Sequence, residues 1–534
     1  MTVWVLGDQL AADAGPLADV EPGEEAVLLV EAREFARKLP YHPHKLVLVF
    51  SAMRHFRDRL REAGHEVDYR RAETFRDGVA EHLAGHAPDR LVAMRPPSHG
   101  AGERLGDVVA EAAAGTGVDA ELTIVGNDLF VCSPDAFDEW AGDEPVHEQF
   151  YRWQRRRTGY LLDGDEPEGG EWNFDDENRE FPRPEVGFPD PPTFEPDETT
   201  REVIDWVTET FDTWADDAAE PFRWPVTREA ALEALDAFVA DRLPTFGPYQ
   251  DAMVERSWSL NHALLSPALN LGLLRPEECI EAAIDAYEAG DAPLPSVEGF
   301  VRQLLGWREF TRHVYRREMP AMADANQLDH DRALPDAYWT GETEMRCLEA
   351  CVGHVRKRGY AHHIERLMVL SNFATLLGVD PAELNRWFHF GFVDAYHWVT
   401  TPNVVGMGSF ATGAMSTKPY VSSANYVEKM SDHCDDCRYD HDETTGANAC
   451  PFNALYWEFL DRHEEQLRAT GRMGLVYHHL DNKDETTNSR PSTNGGRGAV
   501  RCSRTTAASE WCHGGTAPDL HPYRTAYPTG SHGT

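Results

Sequence analysis

The sequence predicts an α/β domain built on a parallel sheet, followed by an all-α domain, and three observations carry that expectation. Over residues 1–134, short apolar runs (VWVL, AVLLVEA, LVLVF, HEVDY, RLVAM, ELTIV) alternate with amphipathic stretches such as SAMRHFRDRLREAG. Strand-length runs separated by helix-length ones mark crossover-connected parallel strands. Over residues 226–465, apolar side chains return every three or four positions, as in TREAALEALDAFVADRL, EGFVRQLLGWREFTRHVY and AHHIERLMVLSNFATLLGV. That is the helical period, without strand-like alternation. Residues 135–225 are rich in Pro, Gly and acid (DGDEPEGGEWNFDDENREFPRPEVGFPDPPTFEPDE) and read as an interdomain connector. Residues 466–534 make up the last segment, and after Leu480 apolar periodicity gives way to Ser, Thr, Gly, Arg and Pro. Such a composition cannot bury enough surface to order itself, so a largely disordered tail is expected. Its change of character resembles out-of-frame coding sequence.

At 534 residues the chain is long enough for two or three domains with their own cores. The opening MTVWVLGDQL has neither a basic segment nor a long apolar run, so a cytoplasmic protein without membrane insertion is expected. The formal charge is 50 − 91 = −41, and only six of the basic residues are Lys. That balance argues against binding nucleic acid by bulk charge, because phosphate contact needs local cations. The acids are nevertheless spread along the whole chain, as in DWADDAAE and SDHCDDC, a solvated surface suited to a halophilic, salt-adapted cytoplasm. RWQRRR at Arg152 to Arg157 is the densest basic patch, open between a nucleic-acid contact and a solvated helix face. No G-x-G-x-x-G or phosphate-loop motif occurs in the first 134 residues, so nothing there supports dinucleotide binding.

The nine cysteines divide by context, with Cys502 and Cys512 falling in the tail. Cys434 and Cys437 form a C-x-x-C pair in SDHCDDCRYD, Cys450 stands before a proline in ACPFNALYW, and MRCLEAC offers Cys347 or Cys351 upstream. Four thiolates in such a set suit zinc or a 4Fe–4S cluster, and spacing leaves the two open. Cys347 and Cys351 fall one turn apart on one expected helix, so spacing does not choose between them. Cys132 and Cys279 stand alone in apolar surroundings as ordinary buried thiols.

Several strings occur in one order: GDQL, KLVLVFSAMRHF, EQFYRWQRRR with GGEWNFDDENR, FGPYQDAM, HALLSPALNLGLL, GWREFTRHVY, GYAHHIERLM, KPYVSSANY and the cysteine set. Together they cover residues 1 to about 465 and resemble the photolyase/cryptochrome superfamily, in its iron–sulfur (6-4) photolyase branch of deoxyribodipyrimidine photolyase-related proteins. The resemblance implies a photolyase/cryptochrome-like fold and a monomeric flavoprotein lyase that repairs (6-4) photoproducts in UV-damaged DNA under blue light. The alternative is a cryptochrome-like photoreceptor without repair turnover. It also implies a 4Fe–4S cluster on Cys347, Cys434, Cys437 and Cys450, with Cys351 a buried spare. FAD is implied in the helical half, with His262, Leu265 and Ser266 near its phosphates, where helix-start amides favour an anion. Tyr249, Trp307, Arg308, Arg366, Asp394 and Asn403 complete the implied cofactor set, although on physics alone each could be core or surface.

His362 and His363 are adjacent on an expected helix and project about 100° apart, so at most one faces a substrate. His363 shares a face with Leu367 and Leu370, the expected buried side, and His362 shares one with Arg366. The resemblance gives the proton-donating role to His363; without it, a satisfied core histidine is the simpler reading. Tyr420 and Tyr426 match positions that line the pocket for a flipped lesion. Trp387 and Trp339 match electron-transfer tryptophans, and Phe388 stands where a tyrosine usually follows the first of them. Gly7, Asp8, Gln9 and Glu31 are implied contacts of a ribityl-lumazine antenna, at the ends of two expected strands.

Overall fold

The structure is a computed structural model that describes residues 1–474 and 476–478. Five strands, β1 (Thr2–Val5), β2 (Ala26–Ala32), β3 (Glu66–Ala72), β4 (Arg90–Met94) and β5 (Glu121–Val125), form one sheet in the order β3-β2-β1-β4-β5. All neighbours are parallel, and β1 pairs Thr2 with Ala26 on one side and with Leu91 on the other. Alternation along the strands divides their side chains between two cores. Val3, Val5, Val27 and Leu29 join the core that includes the helix Pro43–Glu62, whereas Trp4, Leu6, Leu28 and Val30 pack with the helices Phe75–His86 and Ala101–Thr116. Being covered on both faces explains why β1 and β2 read as near-continuous apolar runs.

Of the six apolar runs taken as strands, LVLVF is not one. Residues 46–50 lie inside the helix Pro43–Glu62, and all five are buried. A helix enclosed on most sides carries little polar patterning, and five apolar residues in a row have no period that separates helix from strand. This helix is lodged between the sheet and the helix Glu198–Thr210. The acidic connector also has structure of its own: the helix His147–Thr158 and a short hairpin, β6 (Leu162–Asp163) with β7 (Glu166–Pro167).

Every named element from Arg228 to Ala469 is helical. Among the described residues, four helical stretches widen into π turns: Phe238–Arg242, Arg302–Arg308, Glu365–Ser371 and Pro402–Gly408. Such turns insert one extra residue per turn and are frequent at functional sites. Here they carry Trp307, Arg308, Arg366 and Asn403 of the expected cofactor set, and Arg242, which the sequence had not singled out.

The expected tail begins later than residue 466. The helix Glu464–Ala469 continues the helical half, and Leu467, Met473 and Tyr477 are buried, with Tyr477 Oη donating to the Leu460 carbonyl at 2.8 Å. The expected disorder beyond Leu480 lies outside the described residues. No helix among those described is long and apolar enough to cross a membrane.

Candidate active site and thiol centre

Asp394 organises a polar cluster in the helical half. It lies just beyond the helix Pro381–Gly391, where Arg366 Nη1 and Nη2 donate to its two oxygens at 3.1 and 3.0 Å and Ser266 Oγ donates at 2.6 Å. Asn270 Nδ2 holds the Asp394 carbonyl at 2.9 Å. A two-pronged guanidinium–carboxylate contact fixes both orientation and charge. Lys45, from the N-terminal half, clamps the same turn: its Nζ donates to the carbonyls of His389 and Ala395 at 2.7 and 2.6 Å. Burial pushes the Lys45 ammonium down to about 7, against the attraction of Asp394.

His262, His362 and His363 bring ring nitrogens within 4.8 Å of one another. Their burial reverses the expected faces: His362 is buried, whereas the side chain of His363 is 47% exposed. His362 precedes the first helical residue, and the π turn Glu365–Ser371 follows at once, so a 3.6-residue wheel does not describe this stretch. Burial holds His262 and His362 well below the ordinary imidazole range, with neighbouring histidines adding to it. His262 Nε2, both ring nitrogens of His362, Gln250 Oε1 and Asn261 Oδ1 are buried without a hydrogen-bond partner. Orphaned polar atoms gathered beside an Arg–Asp–Ser network fit a polar cofactor.

His363 instead belongs to an outer face. Its Nε2 is 3.4 Å from Asp251 Oδ1, and Arg179 Nε is 3.9 Å from Asp251 Oδ2. Tyr420 and Tyr426 flank this pair: both phenols are half-buried, and burial pushes both up, Tyr420 beside Arg179 and Tyr426 beside Asp251. The face is drawn from four separate segments, so neither Arg179 nor Asp251 carries a local signal beyond membership of GGEWNFDDENR and FGPYQDAM.

Other expected residues are placed as follows. Leu265 is buried directly before Ser266, Tyr249 packs edge-on to Phe188, and Asn403 Nδ2 donates to the Val399 carbonyl at 2.8 Å. Trp307 stacks on His147 at 3.6 Å, and Arg308 is held by Glu309 over the rings of Phe130 and Trp398. Those two contacts are not with the Asp394 cluster. Trp387 is fully buried and meets Trp214 edge-on at 6.0 Å; Trp214 in turn donates its Nε1–H to the Trp339 carbonyl at 3.2 Å. Trp214 is partly exposed and was missed, because nothing in the connector sequence marks it. Phe388 lies against Trp387 and stacks on Phe392 at 4.9 Å. In the basic patch, Arg152, Arg155 and Arg156 gather over the single ring of Trp172.

Cys347, Cys434, Cys437 and Cys450 line one small cavity with apolar walls from Met345, Val427 and Phe452. Cys351 does not line it; it is buried on the next turn of the helix Arg346–Arg358. Cys450 is the N-cap of the helix Pro451–Arg462, which the Cys-Pro step starts. Burial and the neighbouring thiols push Cys347 well up and Cys434 up to about 12, so these groups become thiolates only against added positive charge.

In the N-terminal half, Gly7, Asp8 and Gln9 follow β1, and Glu31 lies near the end of β2. Glu31 is already saturated: Arg54 donates to both of its oxygens, and Tyr69 and Arg71 add one donor each. Burial pushes Asp8 up to about 6. Gln9 Nε2 donates to the Met94 carbonyl at 3.1 Å, and its Oε1 is buried without a partner.

Comparison with known proteins places this geometry. Residues 3–224 match the family of deoxyribodipyrimidine photo-lyase-related proteins, and residues 300–479 match the FAD binding domain of DNA photolyase. The chain is 42% identical over 486 residues to a (6-4) photolyase of Agrobacterium fabrum, covering 89% of this chain and 94% of that one. The fold is shared with a class III photolyase from Agrobacterium tumefaciens (TM-score 0.54, 16% identity, 80% of this chain and 86% of that one). It is shared too with a Synechocystis cryptochrome (TM-score 0.55, 15% identity, 78% and 82%). With an FAD-binding domain in its helical half and a full-length relative of this similarity, the chain belongs to the photolyase family, among its deoxyribodipyrimidine photolyase-related members.

Proposed function

We propose that this protein is a light-driven (6-4) photolyase that binds UV-damaged DNA and restores the lesion with the help of FAD and a proton from His363. The observation that carries the reading is the outer face itself: a partly exposed His363 oriented by Asp251, with Tyr420 and Tyr426 beside it and the buried His262–His362 pair behind. Ser266, Arg366 and Asp394 would hold FAD, which when bound would supply the photoexcited electron donor. The chain supplies the rest. A lesion must leave the duplex to reach this face, and a poorly stacked damaged base costs least to extrude. Tyr420 and Tyr426 stay neutral and offer aromatic faces to the extruded pair. Arg179 offers a cation in a strongly acidic chain, and His363, the side chain best suited to proton transfer near neutral pH, donates to the lesion as charge develops on it.

The four thiols are read as ligands of a 4Fe–4S cluster with a structural role. The histidine and carboxylate sets His262–His362–His363 and Asp68–His82–His86 gather their ligand atoms within 4.8 Å, and no set among the described residues includes these thiols. Four thiols around one cavity are the donor set that a 4Fe–4S cluster takes. For the antenna, Gln9 Oε1 is the unpartnered buried atom that a lumazine would meet, with Asp8 next to it in the chain, and Glu31 acts through Arg54 and Tyr69.

Illuminating the purified protein with an oligonucleotide that carries a (6-4) photoproduct tests the function. Light-dependent recovery of intact pyrimidines is expected. Flavin photoreduction without recovery would indicate a photoreceptor instead.

A further inference from the structure

We propose that a second cleft, bordered by the loop that precedes Ser266, is a subsite for a nucleoside phosphate, with Arg242 as its anion-binding group. The cleft has a volume of about 380 Å³ and lies between the connector and the helical half. That is at the lower end of the ~300–1,000 Å³ typical of small-molecule sites. Phe194 and Trp224 from the connector and Trp258 from the helical half give the walls three aromatic rings, among prolines and the acids Asp190 and Glu220.

Arg242 is 1% exposed, and Nη1 donates to the His262 carbonyl at 2.7 Å. No carboxylate among the described residues is ion-paired with it, whereas the other arginines at this cleft are neutralised: Arg358 pairs with Glu220 at 2.9 Å and Arg223 with Glu195. A guanidinium has five N–H donors, and burying one without a counter-charge is costly unless an anion arrives. Burial pushes Arg242 down to about 10, outweighing the attraction of Tyr360 and Asp241. Phosphate matches the planar guanidinium fork, and a flat base suits walls of Trp and Phe. The loop is also held in unusual geometry, with Leu260 at φ 42° and Leu264 at φ 59°. Such conformations persist where the surroundings enforce them.

One chemistry has two sources here: a free mononucleotide, or the adenylate half of FAD, the second resting on the flavin reading above. Flavin-loaded protein is titrated with AMP and with inorganic phosphate, and FAD dissociation is followed in wild type, Arg242→Gln, Arg242→Lys and Trp224→Leu. If the ligand is free nucleotide, AMP binds saturably, phosphate competes, and Arg242→Gln weakens binding at least tenfold, by about 1.4 kcal/mol, with flavin retained. If it is the adenylate of FAD, AMP does not bind the loaded protein, and Arg242→Gln releases FAD at least tenfold faster. Arg242→Lys recovers part of either loss, and Trp224→Leu weakens the same ligand, which keeps the test open should Arg242→Gln not fold. Equal AMP binding and equal FAD release in wild type and all variants would overturn the subsite. Protein that never carries flavin would sink the flavin reading alone, because AMP binding would still be measurable.

Discussion

The imidazoles of His262 and His362 lie face to face, with ring centroids 4.5 Å apart and planes 13° from parallel. Both are buried and held neutral, well below their ordinary value, and in the unfolded chain both titrate near about 6.5. Between the depressed folded values and about 6.5 the unfolded chain binds more protons, so their stabilisation is complete above that pH and is lost as pH falls. The melting temperature should fall between about pH 7.5 and about pH 5, and His362→Leu should flatten the fall. An unchanged slope in the variant would show that the pair does not contribute.

Arg366 and Asp394 form a two-pronged, partly buried ion pair at the site, with side chains 25% and 7% exposed. Asp394→Asn leaves the guanidinium without its counter-charge at the cost of about 3 kcal/mol. Denaturant unfolding should register that loss, and purified Asp394→Asn should carry less FAD than wild type. Full stability with full flavin content would contradict the network as drawn.

Trp387, Trp214 and Trp339 form a sequence of oxidisable side chains leading from the core toward the surface, and Phe388 offers no phenol beside it. Flavin photoreduction under steady light with an external reductant should slow strongly in Trp387→Phe and measurably in Trp214→Phe. Phe388→Tyr should open an additional branch and speed it. If Trp214→Phe matches wild type, the route leaves Trp387 by another neighbour.

The cavity shared by Cys347, Cys434, Cys437 and Cys450 predicts about four irons per chain, with equivalent inorganic sulfide, in protein prepared without oxygen. Cys347→Ser should lose the metal, and Cys351→Ser should keep it. Zinc in place of iron, or loss in both variants, would contradict the assignment.

Much of this architecture is legible in the residues. The parallel sheet follows from strand-length apolar runs, and the helical half from its period, because both patterns reflect which faces are buried. LVLVF failed because an enclosed helix and an enclosed strand are equally apolar over five residues. The histidine faces failed for a different reason: the extra residue of the π turn at Glu365–Ser371 breaks the regular wheel, and His362 stands ahead of the helix. Spacing left Cys347 and Cys351 open because both lie on one helix, and only Cys347 lines the cavity with Cys434, Cys437 and Cys450. Arg179, Trp214 and Arg242 gave no sequence signal, since each acquires its place from partners far away in the chain.

Proton donation by His363 is the central claim, and one comparison tests it most directly: light-dependent repair of (6-4) DNA by wild type and His363→Ala at matched flavin content and DNA affinity. Loss of a general acid predicts a fall of about 10²-fold or more in repair yield, with flavin photoreduction unchanged. Repair by His363→Ala at the wild-type yield would contradict the account.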